Sequence, residues 1–303
     1  MKDLIIGAIT NYKYEQIEPW VNSIENSGFT GRKALIVYNI DAATSKKLID
    51  KGFSLFGFEQ NDKGDFTYPG NTTFNIMVER FIHAWYFLSE LNEEIDNIIW
   101  TDVKDVIFQK NPSEYLESIP EDKKIVVGCE NFRYKDEPWN NNNMLMSFGP
   151  LIHHRMLDKK VYCAGVIAGK KDYVLDLFRN IFMMCRGSQA EIPGGGGPDQ
   201  AALNICLTLK PYADITDFSN TEDSWVAHLG TSMPAILSGS GGIGEQYVRD
   251  PSSLNTFKSA MLNNDPVMVG NLVCNQLGEA FHIVHQYDRV TKWKPILEKK
   301  YRS

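Results

Sequence analysis

The sequence predicts an α/β fold: a single domain whose mainly parallel central sheet is flanked by helices. Three observations support it. Short apolar runs alternate with longer amphipathic stretches across about 130 residues, the pattern of strands joined by right-handed helical crossovers. One apolar run, Ile98–Trp100, ends abruptly in Asp102 and Asp105, which is how an open α/β sheet presents charge at the carboxyl end of a strand. At 303 residues, 43% hydrophobic and 23% charged, the chain can bury a full core and has the balance of an ordinary soluble protein.

Leu4–Thr10 reads as a strand, followed by an amphipathic helix over Glu15–Ser27 with Ile17, Trp20, Val21 and Ile24 on one face. Ala34–Asn39 is the next strand. Asp41 is placed to cap a helix over Ala42–Lys51, and Phe53–Phe58 is a third strand. An aromatic-rich helix over Asn71–Leu91 leads into the strand that ends at Asp102. Pro112–Ile119 reads as a short helix and Lys124–Cys129 as a buried strand. Beyond it the pattern loosens. Asn131–Leu157 is polar and reads as loop, Val161–Ile167 as a strand and Tyr173–Cys185 as an apolar-faced helix. The glycine-rich loop Gly187–Pro198 then runs into a helix over Asp199–Leu209. Residues 211–280 read as turn-rich with weak strands, and Ala280–His285 as a last strand before a basic tail. No internal repeat is visible, and the second half must pack on the sheet of the first, so residues 1–303 are expected to form one fold.

A net charge of −7 without a Lys/Arg cluster argues against a nucleic-acid partner. No apolar stretch is long enough to span a bilayer, and the N-terminus is too short in apolar residues and too acidic for a signal peptide. Five scattered cysteines without CxxC spacing read as buried thiols in a reducing compartment, so a cytoplasmic location is the expectation.

Carboxylates as close in sequence as Asp102 and Asp105 repel unless a cation lies between them, so a divalent metal is the natural third party; a solvated acidic turn is the plain alternative. Arg80, on the helix before that strand, suits a phosphate held near the metal, or else is a surface arginine paired to Glu79 or another acid. In Tyr162–Gly169, Gly165 leaves room for a ligand or for a tightly packed neighbour. Ile192–Asn204 lacks the Gly-Lys-Ser/Thr of a phosphate-binding P-loop; Asp199 is a plain helix cap, or else Asp199 and Gln200 bind sugar hydroxyls while the glycine loop closes. Gly239–Gly244 matches GxGxxG but has no following βαβ unit, so a dinucleotide site there is not expected. In a strand from Phe281, His285 would point with Phe281 and Ile283, opposite His282 and Val284; it is a core residue, or a metal ligand if it lies near Asp105.

Taken in chain order, these stretches resemble glycosyltransferases of the GT-A fold, with a glycogenin-like, metal-dependent character, and the resemblance covers nearly the whole chain. It implies a Rossmann-like domain in which 1–130 binds a nucleotide sugar and 131–303 binds a hydroxyl acceptor such as a glycan. Thr10, Asn11 and Tyr12 look like the nucleotide-contacting turn, and Arg80 like a donor-phosphate or base contact. Asp102-Val-Lys-Asp105 resembles the family's Asp-x-Asp motif with one residue more. Asp105 is then the favoured metal ligand, Asp102 lies on metal or ribose, and Lys104 aids the diphosphate. Cys163-Ala164-Gly165 resembles the Asn-Ala-Gly stretch beside the donor sugar, with cysteine in place of asparagine. Asp199-Gln200 resembles the helix start beside the transferred sugar, and His285 the histidine that completes a Mn²⁺ (or Mg²⁺) site. Trp139 would stack on the acceptor, and Glu137 or Asp136 would act as base if the reaction inverts the anomeric centre; an ordinary acidic loop is the alternative. A UDP-sugar is the donor expected on resemblance.

Two rivals come from other classes. A nucleotidyltransferase would favour a basic glycine-rich loop after the first strand, which Thr10–Tyr14 lacks. A non-catalytic carbohydrate- or nucleotide-binding protein would be expected to have lost acidic or histidine positions, yet Asp102, Asp105, Asp199 and His285 are all present.

Overall fold

The computed structural model describes residues 2–68, 76–186 and 196–302. The start of the helix expected over Asn71–Leu91 and most of the glycine loop lie outside the described residues; the helix is seen over Ile76–Glu90. A seven-stranded sheet runs in the order Thr216–Ser219, Ile125–Arg133, Lys160–Lys170, Asn97–Thr101, Leu4–Thr10, Arg32–Tyr38, Phe53–Phe56. Neighbouring strands are parallel except at Lys160–Lys170, which is antiparallel to both its neighbours. The sheet is thus mainly parallel, as expected, but a strand from the second half of the chain sits inside it.

Alternation along the strands builds two apolar layers. Leu4 and Ile6 face the helices Ile76–Glu90 and Lys171–Cys185, packing with Phe81, Leu88 and Phe178. Ile5 and Ile9 face the opposite way, onto Ile17, Trp20, Val21 and Ile24 of the Tyr14–Asn26 helix. Asp41 caps the Ala42–Asp50 helix by accepting from the Thr44 amide at 2.7 Å. All five cysteines are free and buried.

The second half departs from expectation in three places. The stretch read as loop extends the Ile125–Arg133 strand and then forms a helix over Pro138–Met156, broken at Gly149 where φ is 73°. Its run of asparagines and its Gly-Pro pair have poor helix propensity, but Met144 and Met156 bury against Tyr134 and Val161, and Glu137 caps the first turn. Residues 211–280 carry four helices: Tyr212–Ile215, Met233–Leu237, Gly241–Arg249 and Leu254–Ala260. The last strand covers only Ile283–His285, so the alternation does not reach back to Phe281, which packs with Val284, while His282 rests on Tyr115 and Trp225.

A second sheet positions the site. Ile283–His285 lies parallel to Val226–His228 and antiparallel to Val106–Phe108. His285 is thereby paired with Val106, one residue beyond Asp105.

Candidate functional site

The carboxyl ends of the parallel strands meet along one edge, where ligands of open α/β sheets bind. Asp102 follows the Asn97–Thr101 strand, and its amide donates to the Gly165 carbonyl at 2.8 Å, tying the acidic turn to the inserted strand. His285 Nε2 lies 3.5 Å from Asp102 Oδ2 and 3.7 Å from Asp105 Oδ1. A Cβ on Gly165 would stand 2.4 Å from His285 Cε1 and 2.8 Å from Asp102 Oδ2. Glycine is therefore what lets imidazole and carboxylate meet.

These three side chains fit a hard divalent cation. Their donor atoms lie within 4.8 Å of one another. With metal–oxygen distances of about 2.1 Å, neighbouring ligands of an octahedral ion stand roughly 3 Å apart, so the His285 contacts of 3.5 and 3.7 Å would have to close by about half an ångström. Three protein ligands would leave coordination positions open for phosphate oxygens or water.

Arg80 is paired to acids, though buried and not to Glu79. Its guanidinium is buried, not on the surface, and Glu79 is engaged by the Tyr68 hydroxyl. Arg80 Nη1 donates to Asp102 Oδ1 at 2.5 Å and Nη2 to Asp199 Oδ2 at 3.1 Å, while Nε donates to the Met77 carbonyl. These bonds use three of the five guanidinium N–H groups. Burial would push the Asp102 carboxyl up, but Arg80 and His285 outweigh it and hold it well below the usual range. Asp105 is shifted upward by burial despite His285. Burial would lower His285, yet Asp105 and Asp102 outweigh it and raise it. Asp199, expected either to cap its helix or to meet a sugar, begins the Asp199–Leu207 helix after Pro198 and turns its side chain to Arg80.

A second buried cluster adjoins the first. Gln200 Oε1 accepts from the Ala164 amide at 3.2 Å, while its Nε2 donates to Glu130 Oε1 at 3.2 Å and to Asn140 Oδ1 at 2.7 Å. Asn140 Nδ2 donates to Glu130 Oε2 at 3.0 Å, and the Asn140 amide to Glu137 Oε2 at 2.5 Å. Burial raises the Glu137 carboxyl to about 7.

Two cavities share Met77, Arg80, Asp102, Asp105 and Arg289. The smaller, about 260 Å³, is lined by Thr10, Tyr12, Tyr38 and Lys104 among others. The larger, about 380 Å³, is lined by Glu130, Glu137, Trp139, Ala164, Gly165, Asp199, Gln200 and His285. Two sequence candidates line neither. Asn11 holds a turn with φ of 55°, its amide donating to the Tyr38 carbonyl at 3.1 Å. Asp136 ends the short turn Tyr134–Asp136 outside the cavities, whereas the next residue, Glu137, faces in.

Sequence reasoning missed Glu130, Asn140, His228 and Arg289. Glu130 carried the same signal as Asp102, a carboxylate closing an apolar strand, but the strand was expected to stop at Cys129. Arg289, exposed on the rim of both cavities, closes the polar cluster that begins at Phe281. Asn140 and His228 had no signal beyond their polarity. The Gly239–Gly244 stretch opens the Gly241–Arg249 helix, and Gly241 and Gly242 line the larger cavity.

No family model matches this chain, and no curated protein matches it in sequence. Among solved structures, the apo-form glycosyltransferase GlyE of Streptococcus pneumoniae TIGR4 aligns at a TM-score of 0.48 with 12% identity, over 99% of this chain and 63% of that one. The apo structure of the bifunctional glycosyltransferase WbbM aligns at 0.48 with 11% identity, over 99% and 51%. The chain thus spans less than two thirds of the length of either.

Proposed function

We propose that the protein is a metal-assisted glycosyltransferase that moves a sugar from a nucleotide donor, with UDP favoured, to a hydroxyl acceptor. One observation carries the reading: two cavities of unequal character join at Asp102, Asp105 and Arg80, as a nucleotide on one side and a sugar and acceptor on the other would require.

In this reading Tyr12 and Thr10 meet the nucleoside, and Asp102, Asp105 and His285 hold Mn²⁺ or Mg²⁺. When bound, the ion supplies positive charge where the departing diphosphate gains negative charge. Lys104 and Arg289, both exposed on the cavity rim, reach toward the diphosphate. Arg80 instead keeps Asp102 ionised and locks Asp199. Asp199 and Gln200 position the transferred sugar, and Trp139 offers its face to the acceptor. Glu137 takes the acceptor proton if the reaction inverts; retention would need no such base.

The test is a thermal-shift screen of UDP-, GDP- and CMP-sugars with and without Mn²⁺, followed by donor-hydrolysis and transfer assays on the hits. Stabilisation by a UDP-sugar that depends on Mn²⁺ is expected. No stabilisation by any nucleotide sugar would remove the reading.

A further inference from the structure

The His285 ring has a second face. His228 lies opposite His285 in the register of their parallel strands, bringing the two Nδ1 atoms to 3.0 Å. Cys163 Sγ stands 3.4 Å from the same His285 Nδ1. One donor atom from each of the three lies within 4.8 Å of the others, and all three residues are buried. Neither Cys163 nor His228 has a part in the reaction above. Cys163 and His285 line the larger cavity, so an ion has a way in. On the far side of His228, Nε2 is buried beside the Gly128 backbone without a hydrogen-bond partner, and a Cβ on Gly128 would crowd that atom at 2.7 Å.

We propose that Cys163, His228 and His285 form a second, buried site for a soft divalent cation of the Zn²⁺ class, separate from the hard-cation face of Asp102 and Asp105. One thiolate and two imidazoles are donors that favour Zn²⁺ or Co²⁺ over Mg²⁺ or Mn²⁺. Around a tetrahedral ion, Zn–N of about 2.0 Å and Zn–S of about 2.3 Å put two nitrogens roughly 3.3 Å apart and nitrogen and sulfur roughly 3.6 Å apart. The observed contacts need to open by only a few tenths of an ångström. On binding, the S–H bond of Cys163 breaks as the S–metal bond forms, and the proton leaves to solvent. The fourth position faces the cavity.

Sharing His285 couples the two sites. A neutral imidazole has one lone pair, so committing Nδ1 to the soft ion leaves Nε2 protonated and donating to Asp102 or Asp105. A hard cation then loses its nitrogen ligand. This consequence rests on the glycosyltransferase reading; the soft-metal site does not.

Anaerobic titration of the metal-free full chain with Co²⁺, a spectroscopic stand-in for Zn²⁺, tests the site without any sugar donor. Wild type should show a near-ultraviolet thiolate-to-cobalt charge-transfer band saturating at one equivalent and bleached by Zn²⁺. The band should vanish in Cys163→Ser and His228→Gln and persist in Asp105→Asn. No band in wild type overturns the proposal. So does a band surviving in Cys163→Ser, which assigns it to another thiol, or one lost in Asp105→Asn, which makes the two clusters a single site. Should His228→Gln fail to fold by circular dichroism, the near-isosteric Cys163→Ser decides. Failure of the glycosyltransferase reading would appear separately, in the donor screen.

Discussion

Two neighbouring regions of the larger cavity bury carboxylates by opposite means. Asp102 and Asp199 share the Arg80 guanidinium, so positive charge compensates them. Glu130 and Glu137 are held by neutral donors, the Asn140 and Gln200 amides and a backbone N–H. Against burial, Arg80 and His285 hold Asp102 well below the usual carboxylate range, whereas burial raises Asp199 despite Arg80. Neutral donors leave room for the proton, and Glu137 sits near the middle of its range, at about 7. The contrast separates carboxylates held beside a buried guanidinium from carboxylates held by neutral donors.

Removing Arg80 should break the first region most severely. Arg80→Ala strands two buried acids and should cost about 3–5 kcal/mol of stability, read as a fall in the urea midpoint. A variant as stable as wild type would mean that solvent already compensates Asp102 and Asp199. In the second region, Glu137→Gln should lower an inverting transfer rate by a factor on the order of 10²–10⁴. The wild-type rate should rise with pH through about 7, and the variant should lose that limb. Undiminished transfer in the variant would mean retention or another base.

Asp105→Ala should lower Mn²⁺-dependent turnover on the order of a hundredfold, at or beyond the 10–100-fold typical of outer-shell changes, with little loss of fold. Full activity of this variant, or of wild type in EDTA, would dissolve the metal assignment. Gly165→Ala should weaken Mn²⁺ affinity by roughly tenfold, because its methyl group must push His285 and Asp102 apart; calorimetry with Mn²⁺ alone measures it. The smallest effect is on stability. Glu137 has a folded value raised from 4.5 to about 7, so its contribution is complete below the lower value and lost as pH rises through the higher. The melting temperature should fall modestly over that interval, and that component should be absent in Glu137→Gln.

The first region was far more legible in the sequence than the second. Asp102, Asp105 and His285 each close an apolar run, a local pattern that periodicity detects. The sequence could name only Glu79 among the acids open to Arg80, because Asp102 and Asp199 reach it only through the fold. The Glu130–Asn140–Gln200 cluster joins a strand end and two helix starts, and one of those helices was hidden behind four consecutive asparagines. The parallel strands from Leu4 to Thr101 were readable because each is bounded by turn residues. The antiparallel sense of Lys160–Lys170 was not, since side-chain alternation is the same in either direction.

That inserted strand also sets when the protein can be assembled. Until residue 170 leaves the ribosome, Asn97–Thr101 and Ile125–Arg133 each present an unfilled row of backbone donors and acceptors toward the gap between them. A nascent chain halted at about residue 130 would carry these two sticky edges and no closed sheet, a state prone to strand swapping and aggregation. The same strand carries Cys163, Ala164 and Gly165, so the piece that fills the gap also brings the floor of the cavity.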